Sequence, residues 1–204
     1  MPVCKNDKTR NYKGDEPSPK GLGYCAHAED NLAIKKGKNK KLWRIVRDKN
    51  ERQRWKEESK NEIFFKTNYI ERNLIDYVPY HPPLEKTIDT IKLKNSSELM
   101  IKNTTIKILF DYPFNNPQII KFKSKNGFTR RKLFNIISKK YQSIYDEEEQ
   151  TKPKKQSSGF IKGMLNRVTT TGKWGIWGHG IEDLDLILMR RRKKEKFYRL
   201  AVSS

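Results

Sequence analysis

Only one segment of this sequence has the apolar periodicity of a long helix, and this limits the folds open to the chain. Within residues 128–149 the apolar side chains recur at spacings of four, four, three and one, which aligns them on one helix face. They are Leu133, Ile137, Tyr141, Ile144 and Tyr145. The pattern predicts an amphipathic helix near residues 129–147, with Thr129 as its N-cap.

The charges of this helix run against its dipole. Arg130, Arg131 and Lys132 occupy the first turn, and four acidic residues, 146–149, occupy the end. A helix dipole favours the opposite order. Either tertiary or ligand contacts therefore compensate, or the ends fray.

The first of three predicted β-hairpins spans residues 42–56. Two short runs that contain apolar and β-branched residues flank a turn at 48–51. The alternation predicts that Trp43 and Trp55 lie on one face of the hairpin and that its Arg and Lys side chains lie on the other.

Two further hairpins are predicted in the second half of the chain. Residues 87–94 and 99–112 are rich in Ile and would pair across a turn at 95–97. Residues 184–189 and 197–202 would pair across a charged turn. One helix with several hairpins predicts the α+β class: a small β-hairpin N-terminal module, and a module with one amphipathic helix packed on antiparallel hairpins.

The domain organisation follows from shifts in composition. Residues 1–57 form a basic, irregular module whose prolines and glycines favour ordered loops, followed by the first hairpin. Residues 58–84 are a Pro-containing connector, and residues 85–204 are the helix-plus-hairpins module.

Positive charge is concentrated in three segments. The formal net charge is +21, and residues 35–60, 114–145 and 167–204 contribute +8, +8 and +5. Each cation that meets a phosphate releases condensed counterions, so such segments favour binding to polyanions. We therefore expect a non-enzymatic basic protein that binds nucleic acid through its phosphate backbone, although no motif for specific readout of DNA or RNA is present.

The candidate nucleic-acid contacts come from all three basic segments. They are Arg44, Arg47, Arg52, Arg54, Lys56, Arg130, Arg131, Lys132, Arg190, Arg191, Arg192, Lys193 and Lys194. Trp43 and Trp55 could stack on bases, but a module this small also needs its aromatic residues for a core, and the core is the interpretation we prefer.

Two alternatives stay open for the same charge. The chain could be a minor structural or adaptor protein that binds an acidic protein partner. The cluster 190–194 could be a nuclear-localisation signal, or could protect the edge of a sheet. No apolar run reaches the roughly 18 residues needed to span a bilayer, so we expect no membrane span.

Cys4, Cys25 and His27 are weak candidates for a zinc site, because thiolate and imidazole are suitable ligands. A structural zinc site normally has four protein ligands, and the fourth is missing. We therefore prefer a buried Cys25 and a hydrogen-bonded His27 that tie down an irregular loop, and we expect no metal and no cofactor. A Cys4–Cys25 disulfide is expected to be disfavoured, since a reducing cytosol keeps thiols free.

One histidine lies close to several carboxylates in the sequence. His179 precedes Glu182, Asp183 and Asp185, and acid–base chemistry would require these groups to converge. We prefer a structural turn in which the neighbouring tryptophans pack and His179 caps backbone groups. No established catalytic motif is present, so we expect no enzymatic activity.

Several motifs resemble those of known proteins. Residues 12–29 read YKGDEPSPKGLGYCAHAE, and residues 175–179 read GIWGH. Residues 110–113, 127–130 and 145–149 read FDYP, GFTR and YDEEE, while MLNR follows at 164–167. Together these resemble two modules found in uncharacterised proteins of giant DNA viruses of the mimivirus and chlorovirus kind.

The resemblance implies a virus-encoded protein in the virion or in the host-cell cytoplasm at the viral factory, with the nucleus as a further location. It implies no activity. The chain departs from the usual patterns twice: residues 36–40 read KGKNK in place of a Lys-Gly-Lys-Asp-Gly turn, and Gly180 replaces an acidic residue after GIWGH.

Overall fold

The structure is a computed structural model that describes residues 1–30, 33–66, 81–85, 91–154 and 169–204. The chain divides into two compact units, Met1–Ser59 and Lys60–Ser204. Mixed sheets and one long helix confirm the α+β class.

The first unit contains one antiparallel sheet of three strands in the order β1-β2-β3. The strands are β1 Ile34–Lys36, β2 Leu42–Arg47 and β3 Gln53–Glu57. Pairing of β2 with β3 confirms the first predicted hairpin, with Ile45 opposite Trp55 and Trp43 opposite Glu57. Strand β1 was not predicted, because its three residues are too short to show an alternation.

Residues 1–30 of this unit form an irregular segment with two short 3-10 helices, Pro19–Leu22 and Ala26–Ala28, and this segment packs against the sheet. Trp55 Nε1 donates to the Tyr24 carbonyl at 2.8 Å, and Gln53 Nε2 donates to the Glu29 carbonyl at 3.0 Å. A disulfide joins Cys4 to Cys25, and both cysteines are buried. These links hold a segment with few apolar residues against the sheet.

The second unit contains a five-stranded sheet and a separate two-stranded sheet, β5-β8. Its strands are β4 Glu62–Phe64, β5 Leu99–Ile101, β6 Thr105–Phe110, β7 Gln118–Lys123, β8 Phe128–Thr129, β9 Asp185–Arg190 and β10 Tyr198–Ser203. The larger sheet has the order β4-β9-β10-β6-β7. Only β10 and β6 pair in parallel within it; its other pairings are antiparallel.

The helix α1 spans Arg130–Thr151 and confirms the prediction. The Thr129 hydroxyl accepts from the Lys132 amide at 3.2 Å, as expected for an N-cap. Four members of the apolar stripe are fully buried and Tyr145 is partly buried, so this face packs on the core of the unit.

Tertiary contacts explain the acidic end of α1. The Glu148 carboxylate is 2% exposed and accepts hydrogen bonds from the backbone amides of Gly172, Trp174 and Gly175 and from the Thr170 hydroxyl. The neighbouring Glu147 accepts from Trp174 Nε1. These contacts bind the loop 169–176 to the helix end. They offset the unfavourable interaction between the acidic residues there and the helix dipole.

The third predicted hairpin is confirmed by the antiparallel pair β9 and β10. The second is wrong. A turn does form at residues 95–98, but residues 91–94 form no strand, and residues 87–90 lie outside the described residues. The turn carbonyls of Ser96 and Glu98 instead accept from the amides of Arg131 and Arg130.

Strand β4 lies within residues 58–84, which the composition of the sequence predicts to be a connector. Ile63 and Phe64 are fully buried, and β4 pairs with β9 at the edge of the larger sheet. A run of only three residues cannot reveal such a pairing, because its partner lies more than 120 residues further along the chain.

Candidate nucleic-acid interface

A groove of about 1320 Å³ lies on the first unit, between the three-stranded sheet and the irregular N-terminal segment. Its walls carry both tryptophans of the hairpin and five cationic side chains. These residues are Trp43, Trp55, Arg10, Lys20, Arg47, Arg52 and Arg54.

Both indoles are half-buried, and each is held at its N–H edge. Trp55 Nε1 donates to the Tyr24 carbonyl at 2.8 Å, and Trp43 Nε1 donates to Asn39 Oδ1 at 3.1 Å. The strand register makes the two tryptophans diagonal neighbours on one face. Such neighbours lie roughly 7–8 Å apart, so each ring can contact a different base.

Gly37 fixes the place of Trp43. A Cβ at this position would lie 2.4 Å from Trp43 Nε1 and 2.4 Å from the Pro17 carbonyl oxygen. The absent side chain therefore lets the indole pack directly against the backbone at the groove wall.

The groove cations differ in their partners. Arg47 pairs with Glu51 at 3.1 Å, and Arg54 pairs with Asp48 at 2.5 Å. These arginines are more than half exposed, and ion pairs between exposed side chains are weak, so a phosphate can replace their carboxylate partners. Across the described ranges, the guanidinium of Arg52 makes no ion pair.

Three carboxylates also line the groove and offset part of its charge. Glu51 is paired with Arg47, and Glu29 pairs with Lys35 at 3.2 Å. The third, Asp30, lies at the rim and is exposed. The cationic side chains outnumber these acids five to three.

The proposed metal ligands are otherwise engaged. The sulfurs of Cys4 and Cys25 are bonded to each other, contrary to the expectation of free thiols. His27 Nε2 lies 2.5 Å from Asp7 Oδ2, and this hydrogen bond is the main reason that the pKa of Asp7 falls to about 2. Among the described residues, no group of three metal-binding side chains is assembled.

Two candidate cations of the hairpin do not line the groove. Arg44 and Lys56 pair opposite each other, on the sheet face away from Trp43 and Trp55. Lys56 is exposed, while Arg44 is half-buried. The register places Arg47 on the same face as the tryptophans, so the prediction that the cations lie on the other face is wrong for Arg47; Arg54 lies on the face of Arg44 and Lys56. Arg47, Arg52 and Arg54 line the groove.

Arg130 is not available to nucleic acid, which corrects its assignment as a contact. Its side chain is fully buried, and its guanidinium donates to the Phe64 carbonyl and to Glu98 Oε2, the latter at 3.2 Å. Arg131 and Lys132 beside it are exposed at the start of α1. Arg130 thus joins three chain segments of the core.

The cluster 190–194 lies at the end of β9 and in the turn before β10. Its members Arg190, Arg192, Lys193 and Lys194 are exposed. Arg191 is half-buried, because its guanidinium packs over the Tyr198 ring at 5.1 Å. The cluster belongs to the second unit, whereas the groove belongs to the first.

His179 does not converge with the nearby acids. Its ring packs with Tyr112 and Trp177, and Nε2 lies 3.4 Å from the Ser204 hydroxyl. Asp183 instead accepts from the Gly180 amide at 2.9 Å. Trp174 is buried, and Trp177, which is 37% exposed, packs against the Tyr112 and His179 rings, so both tryptophans pack at this turn as expected.

Sequence reasoning missed Arg10 and Lys20 as members of the groove. Both lie in the irregular segment, where no periodicity shows which side chains face the sheet. The Cys4–Cys25 disulfide and the Tyr24 carbonyl bring this segment to the hairpin. Only contacts between distant positions could have identified these residues.

In comparisons with known proteins, no protein family, no curated protein and no solved structure matches this chain. Within the described part of the chain, no helix is both long and apolar enough to cross a membrane. The MLNR motif at 164–167 lies outside the described residues.

Proposed function

We propose that this chain is a non-enzymatic nucleic-acid-binding protein that holds a single-stranded segment in the groove of its first unit. One observation carries the proposal: two accessible indoles and five cations line the same groove. Proteins that bind single strands without sequence preference combine these two features, since bases stack on aromatic rings while cations meet phosphates.

The size of the groove supports a polymer as the ligand. Small-molecule pockets have volumes of roughly 300–1,000 Å³, and this groove exceeds that range at about 1320 Å³. The high net charge of +21 would raise the rate of encounter with any polyanion.

The tryptophans favour single strands over a duplex. In a duplex the base faces are already stacked on each other, so exposed indoles gain little from it. In a single strand each base has a free face, and stacking on an aromatic side chain contributes about 1–3 kcal/mol per base.

A salt series tests the proposal directly. Fluorescence anisotropy would follow the binding of labelled single-stranded and duplex DNA and RNA from low to high salt. We expect log affinity for single strands to fall against log salt with a slope of about −2 to −3.5, which corresponds to three to five phosphates. Absence of binding at low salt would refute nucleic acid as the partner.

Matched variants test the place of binding. The double variant Arg10→Gln/Arg52→Gln removes two groove cations and is expected to make the slope shallower by about 1.4. The control Lys36→Gln/Lys40→Gln removes the same charge from exposed positions of the same unit that do not line the groove. Equal losses in both variants would place binding outside the groove.

A tryptophan variant tests the preference for single strands. We expect Trp43→Leu to lower the affinity for single strands about fivefold or more, because one base loses its stacking partner. Trp177→Leu, at an exposed tryptophan of the second unit, is the control and should leave affinity unchanged. An unchanged affinity in Trp43→Leu would mean that charge alone binds the strand.

An acidic protein partner is the second candidate, and the outer face of β6 and β7 favours it. There Lys107 lies directly opposite Lys121, and Ile119 beside them is 50% exposed. Like charges placed opposite each other are destabilising. An anionic partner would reduce the repulsion between the two lysines, and an apolar part of its surface could cover Ile119. Capture of a defined acidic protein, together with failure of the salt series, would favour this candidate.

The biological setting rests on the resemblance to modules of giant DNA viruses, which stays a prediction. If it holds, the nucleic acid would be viral, and the protein would act in the virion or at the viral factory.

A further inference from the structure

A second, smaller cavity lies in the second unit, at the adjoining ends of the two parallel strands. It has a volume of about 170 Å³, and the starts of β6 and β10 form part of its wall. Three cationic side chains line it, Lys107 from β6, and Arg191 and Lys196 from the turn between β9 and β10. Asn103 and Thr105 add polar side chains.

Among the residues that the structure describes, no carboxylate lines this cavity. Arg191 is held by neutral groups, because its guanidinium packs over the Tyr198 ring at 5.1 Å and donates to Asn61 Oδ1 at 3.1 Å. In the part of the chain that the structure describes, Lys107 and Lys196 make no ion pair.

The acidic residue of the same turn is engaged elsewhere. Glu195 accepts from Arg199 Nε at 2.9 Å and from the Arg192 amide at 3.3 Å. Lys107 also faces Lys121 across the β6–β7 pair. Three cations thus line one cavity, and a fourth, Lys121, lies opposite one of them. Like charges repel each other, and a bound anion would reduce this repulsion.

The dimensions of the cavity limit the ligand. A volume of about 170 Å³ is below the roughly 300–1,000 Å³ of pockets that enclose a drug-sized ligand. It suits one compact anionic group. A guanidinium, two ammonium groups, a hydroxyl and an amide together supply several donors, and phosphate has the oxygen acceptors to use them.

We propose that this cavity binds a phosphate group. The group enters either as inorganic phosphate or as the terminal phosphate of a nucleic-acid strand, whose remaining atoms stay outside. The site is formed by residues of the second unit and does not depend on the function proposed for the groove of the first.

The test is an amide chemical-shift titration of the full chain with inorganic phosphate, at constant ionic strength maintained with chloride. We expect saturable shifts at Lys107, Arg191 and Lys196. The variant Arg191→Gln/Lys196→Gln should raise the Kd at least about tenfold, since it removes two charge-assisted contacts.

The control variant is Arg192→Gln/Lys194→Gln, which removes the same charge from the same turn at positions that do not line the cavity. It should leave the Kd within about twofold of the original, because general attraction by distant surface charge is screened at moderate salt. Absence of a saturable shift, or an equal loss in both variants, would overturn the proposal.

Oligonucleotides distinguish the two sources of phosphate. A short strand with a 5′-phosphate that shifts the same amides more strongly than its 5′-hydroxyl counterpart would assign the site to strand ends. Equal effects of the two strands, with saturable binding of inorganic phosphate, would assign it to the free anion. The groove variant Arg10→Gln/Arg52→Gln should leave the phosphate titration unchanged. The phosphate result can therefore be interpreted even if the groove binds no nucleic acid.

Discussion

At the scale of single residues, the cysteines and one arginine show how burial changes the role of a side chain. Cys4 and Cys25 are separated by 21 positions, yet both are buried and bonded to each other. Arg130 sits in a basic run that resembles a binding surface, but its guanidinium is enclosed by backbone carbonyls and Glu98. The sequence therefore indicated the wrong bonding state for the two cysteines and the wrong environment for Arg130.

The disulfide should contribute measurably to the stability of the first unit. We expect the double variant Cys4→Ser/Cys25→Ser to lower the free energy of unfolding by about 2–4 kcal/mol, because a cross-link over this separation restricts the unfolded chain. Thermal unfolding followed by tryptophan fluorescence would measure the change.

A reducing agent added to the original protein should give a similar shift in Tm, and the double variant should not respond to it. A melting curve that reduction leaves unmoved would show that the bond does not form in solution. Since Cys25 also lines the groove, nucleic-acid affinity measured with and without reductant would show whether the bond supports the groove wall.

At the scale of elements, the end of α1 and the loop 169–176 act as one structural piece. Glu148 Oε2 accepts from the Trp174 amide at 2.7 Å and from the Gly175 amide at 3.2 Å. A Cβ added at Gly172 would lie 2.7–2.8 Å from the atoms of this carboxyl group, so the loop approaches it closely. An irregular loop thereby gains a defined position on the helix.

The variant Glu148→Gln should lower the free energy of unfolding of the second unit by about 2–3 kcal/mol, since the buried amides lose a charged acceptor. The amide nitrogen of glutamine would face donors that it cannot satisfy. Urea unfolding monitored by circular dichroism would measure the loss.

The adjacent Glu149→Gln is the matched control. Glu149 is exposed and pairs with Lys152 at 2.6 Å, and such a pair is worth about 0–1 kcal/mol. Equal destabilisation in both variants would mean that helix charge matters and the contact with the loop does not.

At the scale of the whole molecule, the carboxylates set the response to acid. Within the described part of the chain, several of them have a pKa below the ordinary value. They are Asp7, Glu16, Asp48, Glu147, Glu148 and Glu195. Hydrogen bonds from Lys140 and Lys173 lower the pKa of Glu147 to about 2. For Glu148, burial opposes ionisation, but hydrogen bonds from Thr170 and the loop amides outweigh it.

Because these pKa values are lowered by folding, their stabilisation is complete above the ordinary values of 3.8 for Asp and 4.5 for Glu. It is lost as the pH falls through the folded values. We therefore expect the free energy of unfolding to fall between about pH 4.5 and pH 2. Protonation also adds to a net charge that is already +21, and this repulsion acts in the same direction.

Two carboxylates oppose this trend. Burial raises the pKa of Asp111 and of Asp185, so their protonation favours the folded state. Urea unfolding from pH 7 to pH 2 would measure the balance, and Glu148→Gln should make the decline shallower. A stability that rises as the pH falls below 4.5 would contradict the expectation.

The sequence by itself determined the local elements of this protein. The spacing of Leu133, Ile137 and Tyr141 predicts α1, and alternation with turn residues predicts the β2–β3 and β9–β10 hairpins. These features depend on residues that lie close together in the sequence, so the pattern of apolar and turn residues is sufficient to specify them.

Only the tertiary structure decided the rest. The parallel pairing of β6 with β10, the place of β4 at the sheet edge, the burial of Arg130 and the assembly of the groove all join distant segments. Arg130 and the Phe64 carbonyl that it contacts are 66 residues apart. Such contacts depend on which surfaces fit together after the local elements form, and no short stretch of sequence contains that information.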